Sequence, residues 1–108
     1  MLNINDNTEI LVYKHPVDMR KSFRGLIGLT RNVLNEDPQS GMLFVFIGKS
    51  RRILKILSWD RTGFVIYAKK LEGNNFKIFV DEEKTSINKV KLLQFLDGLP
   101  IGIKRKIR

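Results

Sequence analysis

The first third of the chain shows two hydrophobic patterns, one typical of a strand and the next of a helix. Residues 9–14 contain four consecutive apolar or aromatic side chains, and the His15-Pro16 pair ends this run. Proline stops a strand because it has no backbone N–H to donate. From residue 17 to residue 35 the apolar positions recur at helical intervals, and Asp18 lies where a helix cap is expected. We therefore predict a strand over 9–14 and a helix over 17–35.

Three apolar runs follow at residues 42–47, 52–59 and 64–71, separated by short polar turns. Spacing this tight favours an antiparallel meander. A fourth meander strand is predicted over 76–80, and a second helix over 87–97, with Ser86 as its N-cap and Gly98 after its end. The predicted fold class is α+β, an antiparallel meander of about four to five strands packed with two helices in the order β-α-β-β-β-β-α. One domain over 1–108 is expected, with 101–108 a short basic tail.

Composition and charge narrow the function classes. The 108 residues include 20 Lys and Arg against 11 Asp and Glu, so the net charge is +9, which favours a polyanionic partner such as nucleic acid. The chain contains no Cys, and His15 is its single histidine. The sequence therefore lacks the residues needed for a thiolate or His-rich metal site. It also lacks those needed for a Cys- or His-based nucleophile triad. The N-terminal pattern is not that of an export signal, and no apolar run approaches membrane-spanning length. We expect a soluble cytoplasmic protein.

Three aspartates are the remaining candidates for chemistry, as ligands of Mg²⁺ in phosphoryl transfer. Asp18 is predicted to cap a helix, Asp37 precedes Pro38 in a turn, and Asp60 begins another turn. Structural roles are therefore favoured for all three. We predict no enzymatic activity, no metal and no cofactor.

Candidate nucleic-acid-binding residues fall into three groups. In the first predicted helix, a projection places Arg20, Arg24 and Arg31 within about 40° of one another. The stretch 49–77 carries eight Lys and Arg against two acidic residues, and its candidate contacts are Lys49, Arg51, Arg52, Lys55, Arg61, Lys69 and Lys70. The tail contributes Lys104, Arg105 and Lys106. Trp59 lies among these cations and is a candidate for base stacking or for a partner contact.

Each group also has a plainer interpretation. The arginines would form a solvated helix flank paired with Asp18 or Asp60, the strand aromatics would be core residues, and the tail would only aid solubility. The residues by themselves leave both interpretations open.

Three blocks of the sequence resemble a known family. They are VDMRKSFRGL at 17–26, DPQSGMLFVF at 37–46, and KILSWD at 55–60, which continues through YAKKLEG at 67–73 to Phe76. Together they resemble the TnpB accessory protein, the product of the second open reading frame, of the bacterial insertion sequence family sixty-six. This sequence departs from the family pattern at Ser58, where tryptophan is common, at Lys70, where arginine is usual, and at Arg52, in a loop that is often acidic.

The resemblance implies a protein that assists transposition and is encoded beside a separate, larger transposase that carries the catalytic carboxylates. Its expected partners are DNA, either the element ends or the target, and that transposase. The family supplies no agreed binding residues, so the candidates above rest on charge and geometry. The alternative function is a protein-interaction adaptor that docks on the transposase without touching DNA.

Overall fold

A computed structural model describes residue 2 and residues 4–104. In chain order its elements are β1 (Ile10–Tyr13), α1 (Phe23–Asn32), β2 (Leu43–Ile47), β3 (Ile53–Asp60), β4 (Gly63–Lys70), β5 (Ile78–Phe79), β6 (Lys84–Ile87), α2 (Lys89–Leu96) and β7 (Ile101–Gly102). In the described part of the chain, no helix combines the length and the apolar character that crossing a membrane requires.

Five strands form the main sheet, in the order β4-β3-β2-β1-β6. β1 and β2 are parallel, and α1 is the crossover between them. β2, β3 and β4 form an antiparallel meander, and β6 pairs antiparallel with the outer side of β1. All five residues of the central strand β2 are buried, which explains the continuous apolar run in that part of the sequence. The predicted α+β class and the predicted succession of strands and helices are confirmed.

The sheet has a hydrophobic core on each face. On the first face, Leu26 and Leu34, from α1 and the segment after it, pack against sheet residues that include Phe44, Phe46 and Leu57. On the second face, sheet residues such as Val45 and Ile56 pack with residues of α2, β7 and the segment between β4 and β5; these are Leu92, Phe95, Leu96, Ile101, Leu71 and Phe76. Alternate residues of each strand therefore serve opposite cores, as the two-residue period of a strand requires.

The helix predicted over 17–35 is too long, because α1 begins only at Phe23. The segment before it is bound to the sheet instead: Val17 pairs with Gly48, and its N–H donates to the Ile47 carbonyl at 2.8 Å. A backbone N–H that bonds to a strand cannot also bond within a helix. Asp18 therefore lies in a loop, and it does not cap the helix.

Two lysines of the sheet tie down the two ends of α1. On the N-terminal side, the Lys55 ammonium on β3 donates to the carbonyls of Met19 at 2.7 Å and Lys21 at 2.8 Å. On the C-terminal side, the Lys84 ammonium on β6 donates to the Leu34 carbonyl at 2.7 Å. Because β3 and β6 lie on opposite sides of the central strand, these contacts set the direction in which α1 crosses the sheet.

The strand predicted over 76–80 forms in part, as β5, but it does not extend the meander. It pairs in parallel with β7 in a separate two-stranded sheet. β7 needs glycine at position 102, where φ is +79° and an added Cβ would collide with the Phe79 carbonyl oxygen. The first residues of the predicted tail are therefore structured, and Ile101 is buried.

The start of the second helix also differs from the prediction. Ser86, the predicted N-cap, lies in β6, and α2 is capped by Asn88, whose side-chain oxygen accepts the Lys91 N–H at 2.8 Å. Serine and asparagine are both good caps, so residue type alone did not choose between them. Because β6 pairs with β1, Ser86 is part of a strand, and the helix begins after Asn88.

Candidate nucleic-acid interface

One end of the main sheet gathers six cations from three segments. Because β2 and β4 run in the same direction and β3 runs against them, the carboxyl ends of β2 and β4 meet the amino end of β3. The loop before α1 joins this end through the pairing of Val17 with Gly48. We call this surface the basic end, and its cations are Arg20, Lys49, Arg51, Arg52, Lys69 and Lys70.

The turn between β2 and β3 is the centre of the basic end. It is closed by the Gly48 N–H, which donates to the Ile53 carbonyl at 2.9 Å, and by the Arg51 N–H, which donates to the Gly48 carbonyl at 3.0 Å. The Leu71 N–H donates to the Arg52 carbonyl at 2.8 Å and so fixes the turn against the end of β4. The turn is therefore a rigid support for its three cations.

Arg51 has an unusual backbone conformation. Its φ is +62°, in the left-handed region that favours glycine. The conformation is held from outside, since the Arg51 carbonyl accepts the Phe76 N–H at 2.6 Å and Phe76 is buried in the second core. Non-glycine residues in such conformations concentrate at functional sites, where the surrounding structure maintains the strain.

A cleft of about 310 Å³ lies between this turn and the loop before α1. Val17, Met19 and Ile53 line it with apolar atoms, and Arg20 and Lys49 contribute cations from its two sides. The arrangement brings a residue of the first predicted group next to one of the second.

Arg20 is held in place by Asp18. The guanidinium donates to both carboxylate oxygens, with Nη2 at 2.7 Å and Nε at 3.1 Å, and the Arg20 backbone N–H donates to Oδ1 at 2.9 Å. Those hydrogen bonds, with the positive charge of Arg20 as a further cause, hold the pKa of the Asp18 carboxyl far below its usual value, and the same pair raises the pKa of Arg20. The Arg20 side chain is still 92% exposed, so it keeps donors for a further anion.

Three of the predicted meander cations have partners within the protein: Lys55, Lys69 and, at the other end of the sheet, Arg61. The ammonium of Lys55 donates to the loop carbonyls described above, so it acts as a structural tether and lies outside the basic end. Lys69, on the second face of β4, lies 3.9 Å from a carboxylate oxygen of Asp97 at the end of α2.

Arg61 and Trp59 lie away from the basic end. They are at the turn that joins β3 to β4, and the eight-residue ladder between these strands separates that turn from Lys70 by about 23 Å. Arg61 pairs with Asp60 at 3.8 Å, and the Trp59 ring packs edge-on against Phe64 with ring centroids 5.0 Å apart. The structure therefore does not bring these two candidates together with the others.

The arginines predicted to share one helix edge are divided. Arg24 and Arg31 are exposed residues of α1, seven positions and thus about 10 Å apart along its axis. Arg20 precedes the helix, so the helical projection that grouped it with them is wrong. In the tail, Lys104 is exposed, and Arg105 and Lys106 lie outside the described residues.

Comparison with known proteins places the chain in a family. A sequence model of the family described as "IS66 Orf2 like protein" matches residues 8–106. The chain belongs to this family. It is also similar to two uncharacterized proteins of Sinorhizobium fredii, y4jC at 34% identity and y4hO at 33%, each over 76 residues and 70% of this chain. These matches span 65% and 66% of the relatives' own lengths, just under two thirds, and no solved structure matches.

Membership of the IS66 Orf2-like family confirms the resemblance found in the sequence. Two residues of the basic end, Arg52 and Lys70, belong to the matched region. Both are exposed.

Sequence reasoning missed two features of the basic end. One is the left-handed conformation of Arg51, for which the only signal is its place after Gly48 and Ser50 in a turn. The other is the Asp18–Arg20 pair. Aspartate often accepts the backbone N–H two residues on, and this spacing could have indicated that Asp18 orients Arg20 rather than caps a helix.

Proposed function

We propose that this IS66 Orf2-like protein is a non-enzymatic, cytoplasmic accessory protein of transposition that binds DNA phosphates through its basic end. The observation that carries the proposal is the gathering of six cations from three separate segments at one end of the sheet. Among the described residues, no carboxylate lies within ion-pair distance of Lys49, Arg51, Arg52 or Lys70.

The arrangement suits a phosphate backbone better than a single small anion. Neighbouring strands lie about 5 Å apart, so the β2–β3 turn with its cations lies beside the end of β4 with Lys70, while Lys69 points to the other face of the sheet. Arginine offers paired donors to phosphate, and lysine offers a mobile point charge. Contacts of this kind fix position on DNA without reading its sequence.

Binding of a fluorescent DNA duplex at several salt concentrations tests the proposal. If each of the six cations neutralises one phosphate, the logarithm of the binding constant should fall with the logarithm of salt concentration with a slope near −5. Absence of binding at low salt would refute the proposal. A single-stranded probe of the same length, measured in parallel, shows which form of DNA is preferred.

A second function, docking on the element's transposase without DNA contact, is favoured by a different surface. Val90, Leu93 and Leu99, in and just after α2, are apolar yet 62%, 46% and 53% exposed. Val90 and Leu93 are three residues apart on the helix and therefore lie on one side of it. Co-purification of the two proteins in high salt with nuclease would support docking, whereas loss of the complex on nuclease treatment would support the DNA function.

A further inference from the structure

The outer strand β4 has an unusually long free edge. It pairs with β3 over eight consecutive residues without a bulge, and it is the last strand on its side of the main sheet. The opposite edge strand, β6, has only four residues. A free edge of this length presents a row of backbone N–H and C=O groups to any strand that approaches.

The direction of these groups follows from the hydrogen bonds to β3. The Leu71 N–H donates to the Arg52 carbonyl, and this pair continues the register of the β3–β4 ladder. In an antiparallel ladder, alternate residues turn their backbone groups to the same side. The odd-numbered residues of β4 therefore bond to β3, and the backbone groups of Phe64, Ile66, Ala68 and Lys70 point outward from the edge.

The β4 edge lacks the features that usually prevent an edge strand from pairing with a strand of another molecule. Proteins guard long edges with proline, bulges or a charge near the centre. In β4 the six residues from Gly63 to Ala68 are uncharged, and the charges come only at Lys69 and Lys70. Residues 63–67 are half-buried, and no strand among the described residues pairs with the outer side of β4.

We propose that the β4 edge is a self-association surface, on which a second copy of this chain pairs antiparallel about a two-fold axis at Ile66. A two-fold axis perpendicular to the sheet lies midway between the two strands, at the point where one residue faces its own copy. When this residue is Ile66, Val65 faces Tyr67, and Phe64 faces Ala68. The outward groups of Phe64, Ile66 and Ala68 then all find partners.

Charge favours a second copy as the occupant. In this register Lys69 falls opposite Gly63, and Lys70 falls opposite Thr62, so no two like charges face each other along β4. The uncharged centre of each strand meets the uncharged centre of the other. Two-fold dimers are also the commonest assembly of identical chains. A single strand pair is a small interface, and we expect the dimer to form at micromolar or higher protein concentration.

Ala68→Pro tests the proposal. The Ala68 side chain is exposed and its N–H points away from β3, so proline removes an outward donor without breaking the meander. In sedimentation over a concentration series without DNA, we expect the mass of the natural chain to double and that of the proline variant to stay monomeric. Ala68→Ser keeps the N–H and should behave like the natural chain.

Amide exchange of the natural chain supplies a second readout that needs no variant. Raising the protein concentration should slow exchange at Phe64, Ile66 and Ala68, and leave the odd-numbered amides of β4 unchanged, since these already bond to β3. A natural chain that stays monomeric with rapid exchange at these three amides would refute the proposal, as would a proline variant that folds and still doubles its mass. Because no DNA is present, the result does not depend on the proposed DNA binding.

Discussion

Two arginines in turns provide a matched test of the proposed DNA binding at the basic end. Arg51 has φ +62° at the basic end, and Arg61 has φ +47° at the opposite end of the β3–β4 ladder. Replacing either residue by glycine removes one positive charge and relieves a left-handed backbone conformation. The variants Arg51→Gly and Arg61→Gly therefore have the same net charge and differ in the place from which the charge is lost.

The expected effect on stability is small and favourable. A left-handed conformation costs a non-glycine residue about 1–2 kcal/mol, and the extra freedom of glycine in the unfolded chain costs about 0.4–1 kcal/mol. The difference leaves Arg51→Gly more stable by about 0.5–1 kcal/mol, which raises Tm by about 2–4 °C. Arg61→Gly also loses an exposed pair with Asp60, worth about 0–1 kcal/mol, so its Tm should be nearly unchanged.

The effect on DNA binding should separate the two variants. Loss of one charge-assisted contact of about 1.5 kcal/mol weakens binding about tenfold, and the salt slope becomes shallower by about 0.9. We expect this for Arg51→Gly and not for Arg61→Gly. Fluorescence anisotropy with a labelled duplex measures binding, and circular dichroism measures Tm. Equal losses in both variants would show that binding follows net charge and would refute the assignment to the basic end.

Three further changes test the framework that supports the basic end. Lys55→Met removes two charge-assisted hydrogen bonds to the loop before α1, so the free energy of unfolding should fall by about 2 kcal/mol in a denaturant titration. The Asp18 carboxyl should remain ionised at about pH 3 in an NMR titration, where an ordinary aspartate is mostly protonated, and Arg20→Ala should raise its pKa only part of the way to the ordinary value, because the backbone N–H of residue 20 still donates to the carboxylate. Because the folded pKa is lowered, the stability that this pair contributes is present above about pH 4 and is lost as pH falls through the folded pKa. Gly102→Ala should destabilise the protein by about 2–3 kcal/mol in thermal unfolding, through its collision with the Phe79 carbonyl, while duplex affinity stays unchanged.

The sequence was sufficient to predict the meander and the α+β class, because each strand of β2–β4 is an apolar run bounded by turn residues. Positions that depend on long-range hydrogen bonds could not be predicted in this way. Val17 continues the helical pattern of residues 17–35, yet its N–H donates to the Ile47 carbonyl. Because of this contact, the segment joins the sheet and the helix begins only at Phe23. Similarly, the apolar residues of β5 suit a fourth meander strand, but their partner is β7, more than 20 residues later.

The candidate site shows the same limit. The charge of the sequence identified the cations of the β2–β3 turn and of β4 as one group. Which of these cations lie at the same surface depends on the position of each residue in its strand or turn. Lys55 and Lys69 look equivalent in sequence, yet the first lies on the α1 face and binds carbonyls, whereas the second lies on the α2 face near Asp97. Alternation along a strand fixes such differences only once the register is known.

The basic end concentrates two unfavourable energies in one place. Cations on adjacent strands repel one another, and two unit charges roughly 8 Å apart repel by about 0.5 kcal/mol even in water. Arg51 adds the cost of its left-handed backbone. The buried strand β2 and the hydrogen bonds of Leu71 and Phe76 to the turn hold these residues in position despite both costs. A polyanion would relieve the repulsion without moving the turn, so the same features that lower stability would preorganise the basic end for the phosphates that we propose it binds.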